Sequence, residues 1–469
     1  MMKVLSVASE CVPLVKTGGL ADVAGALPGA LARHGVEMRT LLPGYPAVMA
    51  EADGGRARDL GSLFGGPARL VEGRLGDTVL YALDAPHLYD RDGTIYAGPD
   101  GRDWPDNPQR FAALSMTAAR LAAEGTDDWR PDVLHLHDWQ AGLAPVYLSE
   151  MDATARVATL VTIHNVAFQG LAPASLMDVL RLPRTGFTPE GFEYWGQISA
   201  LKAGLVYADA INTVSPTYAS ELLTQDFGMG LDGLLRSRQS KLCGILNGID
   251  EEAWTPPYRN ARGKAKHTRA LRDEFGLPER EGPLCVVISR LTEQKGLDML
   301  LDALPALLDG GGQLALLGSG DTRLESAYRD LAAAHPHVSV RIGYNEALSR
   351  RMLAGGDAIL VPSRFEPCGL TQLYGLRYGT LPLVALTGGL ADTVINASPA
   401  GLAAGAATGL QFYPVNADTL TQALVKLTTL WADRALWQKM MRNAMAHPVG
   451  WDVSARAYAD LYASLSKTA

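Results

Sequence analysis

The stretch KTGGLADVAGALPGALARHG (residues 16–35) governs the reading of the whole chain, because its core TGGLAD returns far downstream in TGGLADTV (387–394). Each copy follows an apolar run and opens a helical pattern. A helix N-terminus carries unpaired N–H groups and a partial positive charge. Glycine lets the backbone come close to a bulky anion. A glycine pair at a strand-to-helix turn is therefore a cradle for phosphate, and in an open α/β sheet such turns lie at the C-terminal edge of the strands, where ligands bind. One such turn in each half predicts two helix ends converging on one diphosphate in a cleft. The plainer reading is a pair of ordinary Gly-rich turns with Thr17 and Thr387 as helix N-caps. Recurrence in both halves favours the shared diphosphate.

Outward from these turns, short apolar runs alternate with longer helical patterns. VLSVA (4–8), VEMRTLLP (36–43), DVLHLHD (132–138), VATLVTIHN (157–165), AINTVS (210–215) and LCGILNG (242–248) form a first strand series, with a helix over 20–34 after the first. LCVVISR (284–290), QLALLGSG (313–320), VSVRIGY (338–344), DAILVPS (357–363) and TLPLVALTGG (380–389) form a second. Such alternation gives parallel sheets with helices on both faces. The expected fold is α/β, with two Rossmann-like domains over 1–243 and 244–449. TPPYRNARGKAKH (255–267) reads as a polar linker or surface loop near the seam. HPVGW (447–451) reads as a second hinge, followed by a last helix over 454–467.

With 469 residues the chain exceeds one compact core, which agrees with two domains. A net charge of −8 speaks against nucleic acid as a partner, so an anionic ligand needs a local basic site. Arg290 and Lys295 in SRLTEQKG (289–296) supply one candidate, just past a strand end; solvated surface charge is the plainer alternative. The four cysteines are scattered without a CxxC pair, so neither a disulfide framework nor a zinc cluster is expected and a reducing cytoplasm fits. Glu10 interrupts the N-terminal apolar run, which argues against a signal peptide, and no eighteen-residue apolar stretch predicts a membrane span.

KTGGLADV (16–23), the HDWQAGLAP region (137–145), TIHNVAFQG (162–170), NGID (247–250), SRLTEQKG and PSRFEPCGLTQLYGLRYGT (362–380) together closely resemble the bacterial glycogen synthases, and plant starch synthases share most of these motifs. The resemblance runs in order over nearly the whole chain. It implies a GT-B fold, with two Rossmann-like domains facing a deep cleft and residues 450–469 crossing back as a helix to the N-terminal domain. It implies a retaining glucosyltransferase that moves glucose from ADP-glucose to the non-reducing end of an α-1,4-glucan such as glycogen, with no metal and no cofactor.

By the same resemblance, Arg290 and Lys295 stabilise the departing diphosphate, helped by the amides around Gly18–Gly19 and Gly388–Gly389. Lys16 sits near the diphosphate or the acceptor site, and Asp22 belongs to the donor site. Glu366 orients the glucose hydroxyls and opposes positive charge at C1; capping the following helix is its simpler role. His164 bonds the 6-hydroxyl, Asp138 positions the sugar or acceptor, and Asn247 contacts the glucose. Cys368, Gly369, Leu370 and Thr371 line the donor, Thr371 near phosphate. Tyr344 offers an aromatic face to the base. The wider retaining GT-B group carries a second glutamate eight positions after Glu366; here that position is Tyr374, which weakens any two-carboxylate scheme. Asp138 is then the sole candidate nucleophile, and front-face transfer is favoured, in which the leaving phosphate takes the acceptor's proton.

Several rivals fit less well. HLHD (135–138) mimics a metallohydrolase cluster, since alternate strand residues share a face. Asp90-Arg91-Asp92 mimics a DxD metal motif, yet the following Gly93 makes it a turn. The polar and aromatic segment 89–111 is a candidate glucan contact. A glucan-binding module would not need two βα series, and the KTGGL start favours ADP-glucose over a UDP-glucose donor.

Overall fold

The computed structural model describes residues 1–151 and 157–466. They form two compact units, one of Met1–Asn247 with the stretch from Trp451 onward, the other Gly248–Gly450.

In the second unit, LCVVI (Leu284–Ile288) and, after its first residue, QLALLG (Gln313–Gly318) are apolar throughout. Side chains alternate between faces, so Cys285, Val287, Leu314 and Leu316 enter one buried cluster, while Leu284, Val286, Ala315 and Leu317 enter another. Both faces are covered, as a parallel sheet requires. Six parallel strands result, in the spatial order Val338–Ile342, Gln313–Gly318, Leu284–Ile288, Ala358–Val361, Leu381–Ala385, Leu410–Phe412. This is the doubly wound order of a dinucleotide-binding sheet, and its direction reverses between Leu284–Ile288 and Ala358–Val361. Ligands bind at such a reversal, beyond the carboxyl ends of the strands.

The first unit carries a nine-stranded sheet. Seven strands are parallel, in the order Leu242–Gly244, Ala210–Thr213, Ala158–Ile163, Val133–His137, Met2–Val7, Val36–Pro43, Thr78–Asp84. An antiparallel edge of Gly66–Leu75 and Ala57–Leu63 completes it. The reversal here lies between Met2–Val7 and Val133–His137. The C-terminal helix Trp451–Leu465 belongs to this unit. Trp451, Ala455, Tyr458 and Tyr462 share a core with Val4, Val23, Leu27 and Leu31. Tyr458 OH accepts from Asn212 Nδ2 at 2.9 Å, and Tyr462 OH bonds His135 Nδ1 at 2.8 Å. Tyr462→Phe should therefore lower stability by about 1–3 kcal/mol, the cost of stranding a buried polar atom. Urea unfolding of the full chain reads this as a lower midpoint, and an unchanged midpoint would deny that bond any weight.

The structure departs from the sequence reading in three places. The strands at 57–63, 66–75 and 78–84 and the short strand at 410–412 went unread; the first two carry glycines and arginines that blur the alternation. The segment 255–267 is not a linker. The helix Lys264–Phe275 starts inside it, and the Lys264 ammonium is buried, donating to Leu353 O at 2.8 Å and Thr380 Oγ1 at 2.7 Å. The last helix begins at Trp451 and ends at Leu465, and Lys467 lies outside the described residues.

Candidate active site

In the second unit the site grows from the two strand ends at the reversal. After Leu284–Ile288 the chain passes Arg290 and makes the turn Glu293–Lys295. Gly296 follows with φ +67°, and a Cβ there would stand 2.0 Å from Pro362 O. Only glycine lets the lysine turn press against the segment that follows Ala358–Val361. Arg364 ties the two together: its N–H donates to Gln294 O at 2.8 Å, and its guanidinium forks onto Asp298 at 2.6 Å in both arms. The outcome is a partly buried ion pair, Lys295 Nζ to Glu366 Oε2 at 2.5 Å, with Ser363 Oγ donating to the same oxygen at 2.9 Å. Arg290 is exposed, and its guanidinium has no protein partner among the described residues.

The second TGGLAD has a different use from the expected one. Gly388 has φ +43°, and a Cβ there would fall 1.9 Å from Glu366 O; a Cβ on Gly389 would fall 2.3 Å from Cys368 O. The Gly389 N–H donates to Glu366 O and Pro367 O, both at 3.1 Å. These glycines let the FEPCG loop lie on the start of the helix Gly388–Thr393, and the Gly389 amide that the sequence reading offered to phosphate is engaged there. Gln372 completes the loop, donating to Cys368 O at 3.0 Å and Gly369 O at 2.8 Å. Leu370 caps and Thr371 begins the helix Thr371–Tyr378. Tyr374 stacks on Trp254 at 3.8 Å, which shows what fills the place of the second glutamate. Tyr344 stands 77% exposed after its strand, with no ring partner among the described residues.

The first TGGLAD meets a carboxylate. Glu10, 3% exposed, accepts from Thr17 N, from Thr17 Oγ1 at 2.7 Å and from Gly18 N at 3.3 Å. Burial pushes its pKa up, against the pull of these bonds. The amide expected to face a diphosphate at Gly18 is thus met by an internal anion. The helix starts at Gly19, and Thr17 serves Glu10 rather than capping it. Lys16 Nζ, on the loop, pairs with Asp22 Oδ1 in the first turn of that helix at 2.7 Å.

Across the reversal in this unit, Val133–His137 ends at Asp138, a non-glycine residue at φ +54°. Its Oδ1 accepts from His164 N at 2.7 Å and Asn165 N at 3.4 Å. Burial raises its pKa to about 7. His164, just past Ala158–Ile163, bonds His137 Nδ1 through Nε2 at 2.9 Å. Asn247 is buried, and its Oδ1 has no hydrogen-bond partner among the described residues.

Within each unit, then, the structure brings together Lys16 with Asp22, Asp138 with His164, Lys295 with Glu366, and Cys368–Gly369 with Gly388–Gly389. Glu10, His137, Ser363, Arg364 and Gln372 were missed. Glu10 had a signal, a lone charge inside an apolar run; the others look like ordinary motif filler until the loops fold. Of the residues that mimic metal motifs, His135 bonds Thr162 and Tyr462, His137 bonds Ser6 and His164, and Arg91 of the DRD turn forks onto Asp106.

Residues 3–237 match the family described as starch synthase catalytic domain, and residues 282–429 match glycosyl transferases group 1. A glycogen synthase from Paracoccus denitrificans is 69% identical over 467 residues, covering 99% of this chain and 100% of that one. The chain belongs to the glycogen synthase family. A second member, from Jannaschia sp., is 57% identical over all of both chains. Among solved structures, the catalytic domain of starch synthase IV from Arabidopsis thaliana, bound to ADP and acarbose, has a TM-score of 0.86 at 29% identity with full coverage of both. Sucrose-phosphate synthase from Thermosynechococcus elongatus, at 18% identity and TM-score 0.61 over 99% of each chain, shares the fold. The chain is a glucosyltransferase with the GT-B fold. No helix among its described residues is long and apolar enough to cross a membrane.

Proposed function

We propose that the chain transfers glucose from ADP-glucose to the non-reducing end of an α-1,4-glucan, retaining configuration at C1 and releasing ADP, without metal or cofactor, as a cytoplasmic step of glycogen synthesis. The observation that carries this reading is the Lys295–Glu366 pair at the sheet reversal of the second unit, with the unpartnered guanidinium of Arg290 beside the same strand end.

Breaking the C1–O bond puts negative charge on the diphosphate and positive charge on the sugar. Arg290 and Lys295 are fixed cations for the first, and preorganised charge of this kind is the largest single term in many transfers. Glu366 opposes the second and orients hydroxyls. Without donor, Glu366 neutralises Lys295; a diphosphate takes over that role when it arrives. Asn247 Oδ1 accepts a sugar hydroxyl, His164 addresses the 6-hydroxyl, and Asp138 holds the acceptor side. Lys16 and Gly18 on the loop, with Gly19 and Asp22 at the start of the helix that follows, face the donor. Cys368, Gly369, Leu370 and Thr371 with Gly388 and Gly389 shape the phosphate end, and Tyr344 stacks on adenine. One oxygen of Asp138 is committed to backbone amides, which supports front-face transfer over a covalent intermediate on that carboxylate.

Labelled ADP-glucose and UDP-glucose, each offered with glycogen and with or without EDTA, test this reading. Incorporation from ADP-glucose should dominate and survive EDTA. Incorporation from UDP-glucose alone would reject the donor, and loss with EDTA would reject the metal-free scheme.

A further inference from the structure

The floor of the first unit holds a hydrogen-bonded line, Ser6 to His137 to His164, of which the proposed chemistry uses only the last member. Val133–His137 is parallel to both Met2–Val7 and Ala158–Ile163. Alternation on the pleat turns Ser6 and His137 toward one another, and Ser6 Oγ lies 3.1 Å from His137 Nε2. His137 Nδ1 lies 2.9 Å from His164 Nε2. Ser6 and His137 are fully buried. Burial also keeps the His137 ring neutral, its pKa pushed down to about 3.

A neutral imidazole donates from one nitrogen and accepts at the other, so the direction of the line is set at one end. Ser6 Oγ has one partner among the described residues, His137 Nε2. If His137 Nε2 were the donor, the serine hydroxyl proton would be buried with nothing to bond. A stranded buried donor costs about 1–3 kcal/mol, roughly a five- to 150-fold bias against that arrangement. Ser6 therefore donates, His137 accepts at Nε2 and carries its proton on Nδ1, and His164 Nε2 must accept. His164 is left with its own proton on Nδ1, the nitrogen not held by His137.

We propose that His137, oriented by Ser6, is a positioning residue that locks His164 in the Nδ1–H tautomer and so presents a fixed donor to an oxygen of the substrate. Identifying that oxygen as the sugar 6-hydroxyl rests on the function proposed above; the tautomer itself does not. A second-line partner that fixes the tautomer of a working histidine governs turnover strongly in other enzymes.

The test is a long-range proton–nitrogen NMR spectrum of the full chain labelled at its nine histidines, without substrate, with the His164 signals identified by their loss in His164→Asn. His164 should be protonated at Nδ1 alone. Protonation at Nε2 overturns the proposal. Ser6→Ala removes the directing proton with little change of volume, and His164 should become a mixture of tautomers; a His164 still wholly Nδ1–H would overturn the role of Ser6. In kinetics, His137→Leu should lower kcat about 10–100-fold with little change in KM for glucan. His137→Asn, whose side-chain N–H stands in for Nδ1–H, should restore most of it; equal loss in both would mark His137 as core packing. A chain inactive with ADP-glucose leaves the tautomer result standing, whereas an Nε2–H tautomer in an active chain defeats this inference alone.

Discussion

Glu366→Ala is expected to cut glucose incorporation by about a hundredfold or more at saturating donor, and Lys295→Ala by a similar factor, as losses of preorganised charge do. The two side chains meet at 2.5 Å and are both largely buried, so they act as a unit and their effects should not add. The double variant should lose little more than the worse single one. Glu366→Gln separates shape from charge: the amide still accepts from Ser363 Oγ but leaves Lys295 unneutralised. It should be nearly as slow as the alanine variant. Removing one partner of a buried pair also strands the other's charge, at about 3–5 kcal/mol, so each rate is compared only after its thermal midpoint shows a folded chain. If Glu366→Ala, folded, turned over within about threefold of the parent, the carboxylate would not lie beside the reacting sugar.

The parallel core was legible because its strands are apolar on both faces. LCVVI and QLALLG allow no other placement, and the sequence ranges for them differ from the structure only at the loop ends. The antiparallel edge at 57–84 was not, since ARDLGSLFGGPARLVEGRL mixes glycine and arginine into a half-exposed alternation. The segment 255–267 misled because its polarity looks like solvent exposure. Lys264 is polar and buried, and three of its four acceptors come from distant parts of the chain. At the site, motif residues were found as types but not as contacts. Nothing local in TGGLAD says that Glu10 will bond the first copy's amides or that the second copy's glycines will admit the backbone of Glu366. Those pairings arise only when strands remote in sequence become neighbours at the two sheet reversals. The same holds for His137, which reads as a buried alternation partner of His135 until His164 is brought beside it.

Asp138 should impose a pH dependence near neutrality, and Asp138→Asn should remove it together with about a hundredfold of the rate. Burial lifts this carboxyl to about 7 from the usual carboxylate range near 3.8. The folded chain then keeps a proton that the unfolded chain releases, so stability falls as pH rises through that window and levels off above about 7. Activity should run the other way if the ionised form holds the acceptor, rising with pH to a plateau past the same point. Asparagine is well suited to isolate the charge. Its carbonyl oxygen can still accept from His164 N, where Asp138 Oδ1 does so at 2.7 Å. It also tolerates the φ of +54°, a region that asparagine and aspartate occupy more readily than other side chains. Asp138→Ala lacks both properties and should lose stability as well as rate. A pH profile of kcat for the parent and the asparagine variant, with denaturation midpoints at each pH, reads both effects. A variant with near-parental turnover and an unchanged profile would reduce Asp138 to a tie between two strand ends. A variant that is slow, flat across neutral pH and no longer less stable as pH rises would mean that one buried carboxylate sets both dependences, because the burial that raises its proton affinity also makes its charge effective.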